Sequence, residues 1–488
     1  MKPISKNPKV QKPIQAVILF PVLTILPAMA GIFLIPIYLK ELSPKEYGIL
    51  SLLNVLGSFY STIAILQLNV AASISYFDYV QDQHKLKKYK SSLFSASFII
   101  ATSTFFLFTI LGLLLFPYLT KTNEIPFVPL GMIVLLTQYL TQLKSIHFLF
   151  IKNEYRLLEF STYSILLLVI SIATQYYLIV VEKLGVLGSV SGQLMGNLIV
   201  TGIVLILQRK LFDAKPNIQY ISSSLKLSVP FIPITLMAWV FNAGDKILVE
   251  RLTDLATVGS YAVLTSLLLL AENVFNSLIN AFRPKIFESF NVLGKQEIEN
   301  VGRLIRLYLL LALLVLSGVI LIGSNLSLIT QNLKYLSLVP LFTLGALTLI
   351  PRVVVRVYSL QLLYVKKTRL IAMITLISMA ILILSLVLLV PVFGIAGALY
   401  SIGISNSIRF LMFYHYAKRE FPILNGFTKY ALYVILGFVS ILGLAYLSYQ
   451  TGLYAISTYG AIQFSAVAIY LVCIFLKNMH AYKHIKKQ

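Results

Sequence analysis

Amide side chains are expensive in a hydrocarbon environment, yet one apolar stretch of this chain lines several of them along a single helical face. Over 258–282 and just beyond it, Ser266, Asn273, Asn276, Asn280 and Arg283 recur at helical spacing, with Glu272 beside the stripe near its middle. Amides so placed can bond the hydroxyls of a sugar, and Arg283 can meet a phosphate near the inner mouth of a cavity. The competing account is interhelical hydrogen bonding that only holds helices together. Arg352 and Arg356 stand four apart at the inner end of 336–357, and Arg409 follows Asn406 by three within 394–417. Planar guanidinium groups suit a two-point grip on phosphate oxygens. For Arg352 and Arg356 the alternative is snorkelling to the headgroups. Asn242, Asp245 and Lys246 follow Trp239 within 226–249 and read either as cavity lining or as an anchor at the outer boundary. Glu272 is the candidate for exchanging a proton or another cation, because an ionisable group at mid-bilayer costs on the order of 2.5–3.5 kcal/mol and needs a reason.

Other chemistries lack their residues. No glycine-rich loop ends in Gly-Lys-Ser/Thr, so ATP is not expected in the P-loop manner. The histidines are scattered; His480 and His484 share a helical face in a lysine-rich tail without a third ligand, and no metal site is expected. No cofactor is expected beyond coupling to a proton, sodium or the membrane potential. Asp78 and Asp82 beside Lys85, Lys87 and Lys88 read as a solvated charge cluster, and the lone Cys473 permits no disulfide framework.

The elements that must position these groups follow from composition. Of 488 residues, 58% are hydrophobic and 12% charged, with a mean hydropathy of +0.87, which excludes a soluble domain. Apolar segments of roughly 20 residues, the length that crosses a core of about 30 Å, run from 16–39 to 453–476 and number about fourteen. The first, preceded by four lysines, is too long for the core of a cleavable signal and reads as a retained helix. Placed on this frame, with Lys144 counted at the inner end of the fourth segment, 33 of the 40 basic residues fall on or beside the amino-terminal tail, the even-numbered loops and the carboxy-terminal tail, and 7 on or beside the odd-numbered loops. That alternation is the positive-inside pattern, with both termini cytoplasmic. The net charge of +23 is therefore mostly topological; nucleic acid is not an expected partner, and anionic membrane lipid is. Short loops leave no room for a separate catalytic domain, so an enzyme is not expected.

An internal repeat appears at an offset near 210. Gly185-Val186-Leu187-Gly188 matches Gly394-Ile395-Ala396-Gly397, and Asn197 matches Asn406. Lys152 to Arg156 resembles Lys366 to Arg369, and Glu41-Leu42-Ser43 with Tyr47-Gly48 resembles Arg251-Leu252-Thr253 with Val258-Gly259. Six spans per repeat make the halves parallel, related by an axis along the membrane normal. The expected organisation is an all-α polytopic membrane protein: a lobe over 1–210, a second over 211–418, and a peripheral helix pair with a basic tail over 419–488. Pro21, Pro27 and Pro36 in the first segment, and Pro230 and Pro233 in the seventh, interrupt corresponding helices.

Several motifs carry a family resemblance. The run Tyr38-Leu39-Lys40-Glu41-Leu42-Ser43-Pro44-Lys45-Glu46-Tyr47-Gly48 resembles the first-loop signature of bacterial polysaccharide flippases, which transport O-antigen, capsule and related repeat units. Val229-Pro230-Phe231-Ile232-Pro233, Trp239 and Asn242-Ala243-Gly244-Asp245-Lys246 are similar to that family's seventh helix, where arginine usually follows the acidic residue. Val258-Gly259-Ser260-Tyr261 and Ala281-Phe282-Arg283-Pro284 complete the pattern. The resemblance implies twelve core helices in two lobes plus two more, in a bacterial inner membrane. It implies translocation of an undecaprenyl-diphosphate-linked oligosaccharide by alternating access, in lipopolysaccharide or capsule synthesis, with a glycan polymerase and chain-length machinery as partners. Lipid II flippases and drug or cation antiporters of the same superfamily are the nearest alternatives, and a membrane-embedded polymerase or acyltransferase a more distant one.

Overall fold

The computed structural model describes residues 33–119, 125–154, 156–209, 216–292, 295–324 and 338–420. Most of the first expected segment, the two segments after 420, Pro21, Pro27, Cys473, His480 and His484 lie outside the described residues. Every other expected segment falls on helix, and no strand occurs among the described residues. Nine helical runs among them are long and apolar enough to cross a membrane, so the chain is a multi-pass membrane protein.

Contacts divide the chain into two compact units, Met1–Gly259 and Ser260–Gln488. The first contains α1 (Pro44–Ile63), α2 (Leu68–Tyr79), α3 (Gln83–Leu119), α4 (Met132–Asn153), α5 (Leu157–Tyr176) and α6 (Gly185–Leu207). It also takes in α7 (Ile218–Ser228), α8 (Ile232–Trp239), α9 (Asp245–Leu252) and the first turn of α10 (Leu255–Val292). The second unit contains the rest of α10, α11 (Lys295–Ser324), α12 (Val339–Tyr364) and α13 (Thr368–Glu420). The boundary at Gly259 groups helices by contact, whereas the division at residue 210 follows the sequence repeat; the two partition the chain differently.

The flippase-like first-loop run folds as a helix start. Ser43 Oγ accepts the Glu46 amide at 3.2 Å while Glu46 Oε2 accepts the Ser43 amide at 2.8 Å, a reciprocal cap with Pro44 in the first turn. Its counterpart before α10 is Asp254, whose carboxylate accepts the Thr257 amide and hydroxyl, each at 2.9 Å. The two capped helices then meet backbone to backbone. A Cβ on Gly48 would overlap the Leu255 carbonyl oxygen, and one on Gly259 would overlap that of Pro44. Each glycine thus meets the residue four positions before its partner, so the contact reads the same from either helix.

The repeat is also geometric at its second motif. Gly185 and Gly394 both take left-handed backbone, with φ of +54° and +56°. Gly394 breaks α13 into two limbs, and Gly185 opens α6 after the π-helical turn Tyr177–Val181. In the first unit the core gathers Leu68, Tyr76, Leu93, Leu140, Ile146 and Phe150 from α2, α3 and α4. The short amphipathic α7 lays Tyr220, Ile221 and Leu225 against it. Pro230 and Pro233 sit in the 3-10 turn and first residues of α8, where missing amides do little harm.

Candidate functional site

Three helices of the second unit bring charged groups to one buried point. Glu272 of α10 is 8% exposed and faces into the unit, away from the stripe that flanks it in sequence. Its Oε1 pairs with Arg352 Nη1, and its Oε2 lies 3.4 Å from Arg356 Nη2. Arg352 Nε donates to Asn406 Oδ1 at 3.0 Å, and Asn406 Nδ2 in turn donates to the Thr348 carbonyl at 3.0 Å. Asn406, wholly buried on the second limb of α13, therefore ties a guanidinium to the backbone of the helix that carries it. Spacing explains the pairing: Thr348, Arg352 and Arg356 follow one another at helical intervals of four, so one face of α12 meets both neighbours. The arginines turn inward to this cluster rather than outward to headgroups.

Polar capacity remains around the cluster. Arg356 Nε is buried without a hydrogen-bond partner among the described residues. Arg409, one turn after Asn406, stands over the Phe413 ring at 5.7 Å and is within Coulombic reach of Arg356. Several guanidiniums so close together, one with an unused N–H, suit an anion with several acceptor oxygens.

The asparagine stripe takes a different surface. Asn276, Asn280 and Arg283 are exposed and Asn273 is half-buried, with Arg283 Nη2 donating to Asn280 Oδ1 at 2.6 Å. In the first unit, Asn242 is exposed and donates to the Ala238 carbonyl at 2.8 Å, while buried Asp245 accepts the Lys246 amide at 2.9 Å. Trp239 Nε1 donates to Ser58 at 2.9 Å and its ring packs on Phe59. Asp82 caps α3 through the His84 and Lys85 amides, and the Lys85 amide holds its carboxyl below the ordinary range; its pair with Lys85 is exposed, as a solvated cluster requires.

One residue that sequence reading left among the inner-loop cations is central to the first unit. Lys144 is 2% exposed, and its Nζ donates to Asn197 Oδ1 at 2.6 Å, with Thr141 Oγ1 donating to the same oxygen at 2.9 Å. Asn197 and Asn406 are 209 positions apart, and Lys144 and Arg352 are 208 apart. Each unit thus sets a cation, buried Lys144 or half-buried Arg352, against the equivalent asparagine; the signal lay in the repeat, had it been followed one helix further. Close to Lys144, His147 lies 3.5 Å from Glu159, which Arg156 also meets.

Solved structures share this architecture. A lipid II flippase, MurJ, in an inward closed conformation is 16% identical with a TM-score of 0.68, covering 95% of this chain and 99% of its own. An inward-facing multidrug resistance MATE family transporter of the MOP superfamily is 12% identical with a TM-score of 0.68, covering 84% and 99%. A MOP superfamily transporter from Pyrococcus furiosus, described as having a binding pocket of reversed polarity, gives 0.56 at 12% identity, covering 86% and 98%. At these identities the likeness establishes the fold. None of the curated protein sequences compared matches significantly. The sequence profile of the polysaccharide biosynthesis protein family matches residues 14–290, more than half the chain, and the protein belongs to that family.

Proposed function

We propose that the protein is a flippase that carries a lipid-linked oligosaccharide, on undecaprenyl diphosphate, from the inner to the outer leaflet of a bacterial cytoplasmic membrane. The observation that carries this reading is the cluster of half-buried Arg352 and Arg356 with buried Asn406, held by buried Glu272, in which Arg356 Nε has no hydrogen-bond partner among the described residues. A family whose members serve polysaccharide synthesis needs to recognise a diphosphate head, and guanidinium forks are the side chains best shaped for it. The open amides of α10 suit sugar hydroxyls, and the isoprenoid tail stays in lipid while the head crosses. In this reading the chain has fourteen spans with both termini in the cytoplasm and works by alternating access, without covalent chemistry of its own.

The test is complementation. Cells lacking their own repeat-unit flippase receive the wild-type chain, Arg352→Gln or Arg283→Ala at matched membrane abundance, and lipid-linked glycan on the outer face is measured. Rescue by wild type with at least a tenfold loss for Arg352→Gln is the expected result. Polymerisation of glycan by the purified chain, without any translocation, would overturn the reading in favour of an enzyme.

A further inference from the structure

Glu272 commits both carboxylate oxygens to guanidiniums, Oε1 to Arg352 and Oε2 to Arg356. Two oxygens of one anion, each facing a different arginine on one helix face, is also the arrangement a phosphate group would take there. The same N–H groups cannot serve both. Yet Arg352 does not depend on Glu272 for its aim, because Asn406 holds its Nε and is itself fixed to the Thr348 carbonyl. The carboxylate comes from α10, whereas the arginines and their amide anchor come from α12 and α13. Withdrawal of that one side chain would therefore free both guanidiniums, with Arg352 kept in position by Asn406.

We propose that Glu272 is a built-in competitor for the anionic head of the cargo: it occupies Arg352 and Arg356 in the empty carrier and yields them when a diphosphate arrives. This rests on the diphosphate reading above and adds its regulation. An empty site of bare guanidiniums at this depth would be costly and would hold any passing anion. With the carboxylate in place the site is closed to weak ligands, and its return displaces the cargo at the end of the cycle. A competitor lowers apparent affinity by the fraction of time it occupies the site, so a carboxylate bound nine-tenths of the time or more weakens binding about tenfold or more.

The experiment uses purified full-length protein in nanodiscs and inorganic pyrophosphate as probe, without divalent cations, followed by isothermal titration. Glu272→Gln should bind pyrophosphate about tenfold tighter than wild type or better, and Glu272→Asp, which reaches the pair less well, should tighten it by a smaller factor. Glu272→Gln combined with Arg352→Gln should lose the gain. Unchanged or weaker binding by both single variants would overturn the proposal and leave Glu272 as a structural strut, as would pyrophosphate failing to bind any variant. The outcome is independent of transport: tighter binding without glycan translocation by wild type would sink the flippase reading alone, and translocation with unchanged binding would sink only the competitor.

Discussion

Asn406 and Asn197 each present a carboxamide oxygen to a cation, half-buried Arg352 in one unit and buried Lys144 in the other. A charge held in the bilayer by a neutral amide is stabilised only while the amide stays in place, since a hydrogen bond to a charged group contributes about 1.5–3 kcal/mol and cannot be replaced by water there. Asn197→Leu should therefore destabilise the protein by about 2 kcal/mol or more, and adding Lys144→Met should recover most of the loss, because the stranded charge goes with it. Thermal unfolding of the two variants in detergent measures this; equal stability of Asn197→Leu and wild type would show that Lys144 finds another partner. The amide stripe of α10 was legible from spacing alone, because exposure along a helix follows periodicity. The partners of Glu272 were not, since hydropathy places a residue at a depth but does not say which neighbouring helix it faces. Lys144, counted at the inner end of its apolar segment, shows the same limit: there, a lysine that snorkels and one that turns inward look alike in sequence.

At the scale of the element, the flippase-like first-loop motif resolves into two structural tasks. Its serine, proline and glutamate start α1, and its glycine lets α1 meet the start of α10 at backbone distance. Removing the cap with Ser43→Ala should cost about 1 kcal/mol, read as a lower unfolding midpoint. The glycine contact allows a sharper test, because Gly48 and Gly259 each face the other helix's backbone. Gly48→Ala and Gly259→Ala should each destabilise, and the double variant should cost clearly less than the sum, as expected of two changes that force apart one contact. Additive losses would mean that the two alanines disturb separate sites. The repeat was readable in sequence as paired glycines, and the left-handed φ of Gly185 and Gly394 gives that pairing its physical cause. The seventh segment was readable at 226–249, but the helical run is longer, Ile218–Leu252, and its break into α7, a 3-10 turn, α8, a π-turn and α9 was not readable, because Pro230 and Pro233 account for only the first of these interruptions.

For the whole molecule, most of the basic excess lies on or beside the loops and tails, while Lys144, Arg352 and Arg356 turn into the two units and have a different role. In the proposed flippase reading, the loop charges set orientation and stay where they are, and the charge that moves is the cargo's. A diphosphate of about two negative charges leaving a negative-inside cell runs downhill by roughly 4–5 kcal/mol per 100 mV, provided no compensating charge travels with it. If about a third of that drop is felt at the rate-limiting step, dissipating the potential raises the barrier by about 1.4 kcal/mol, or tenfold in rate. Inverted or right-side-out vesicles clamped with valinomycin and graded potassium, at fixed pH, separate this from proton coupling. Outward flipping should slow as the cytoplasmic side is made less negative, and Arg283→Ala, on the exposed stripe rather than in the Glu272 cluster, should keep the same voltage slope while lowering the rate throughout. A rate indifferent to potential but steep in the proton gradient would mean that positive charge accompanies the head across, and would move the driving force from the cargo to an exchanging ion.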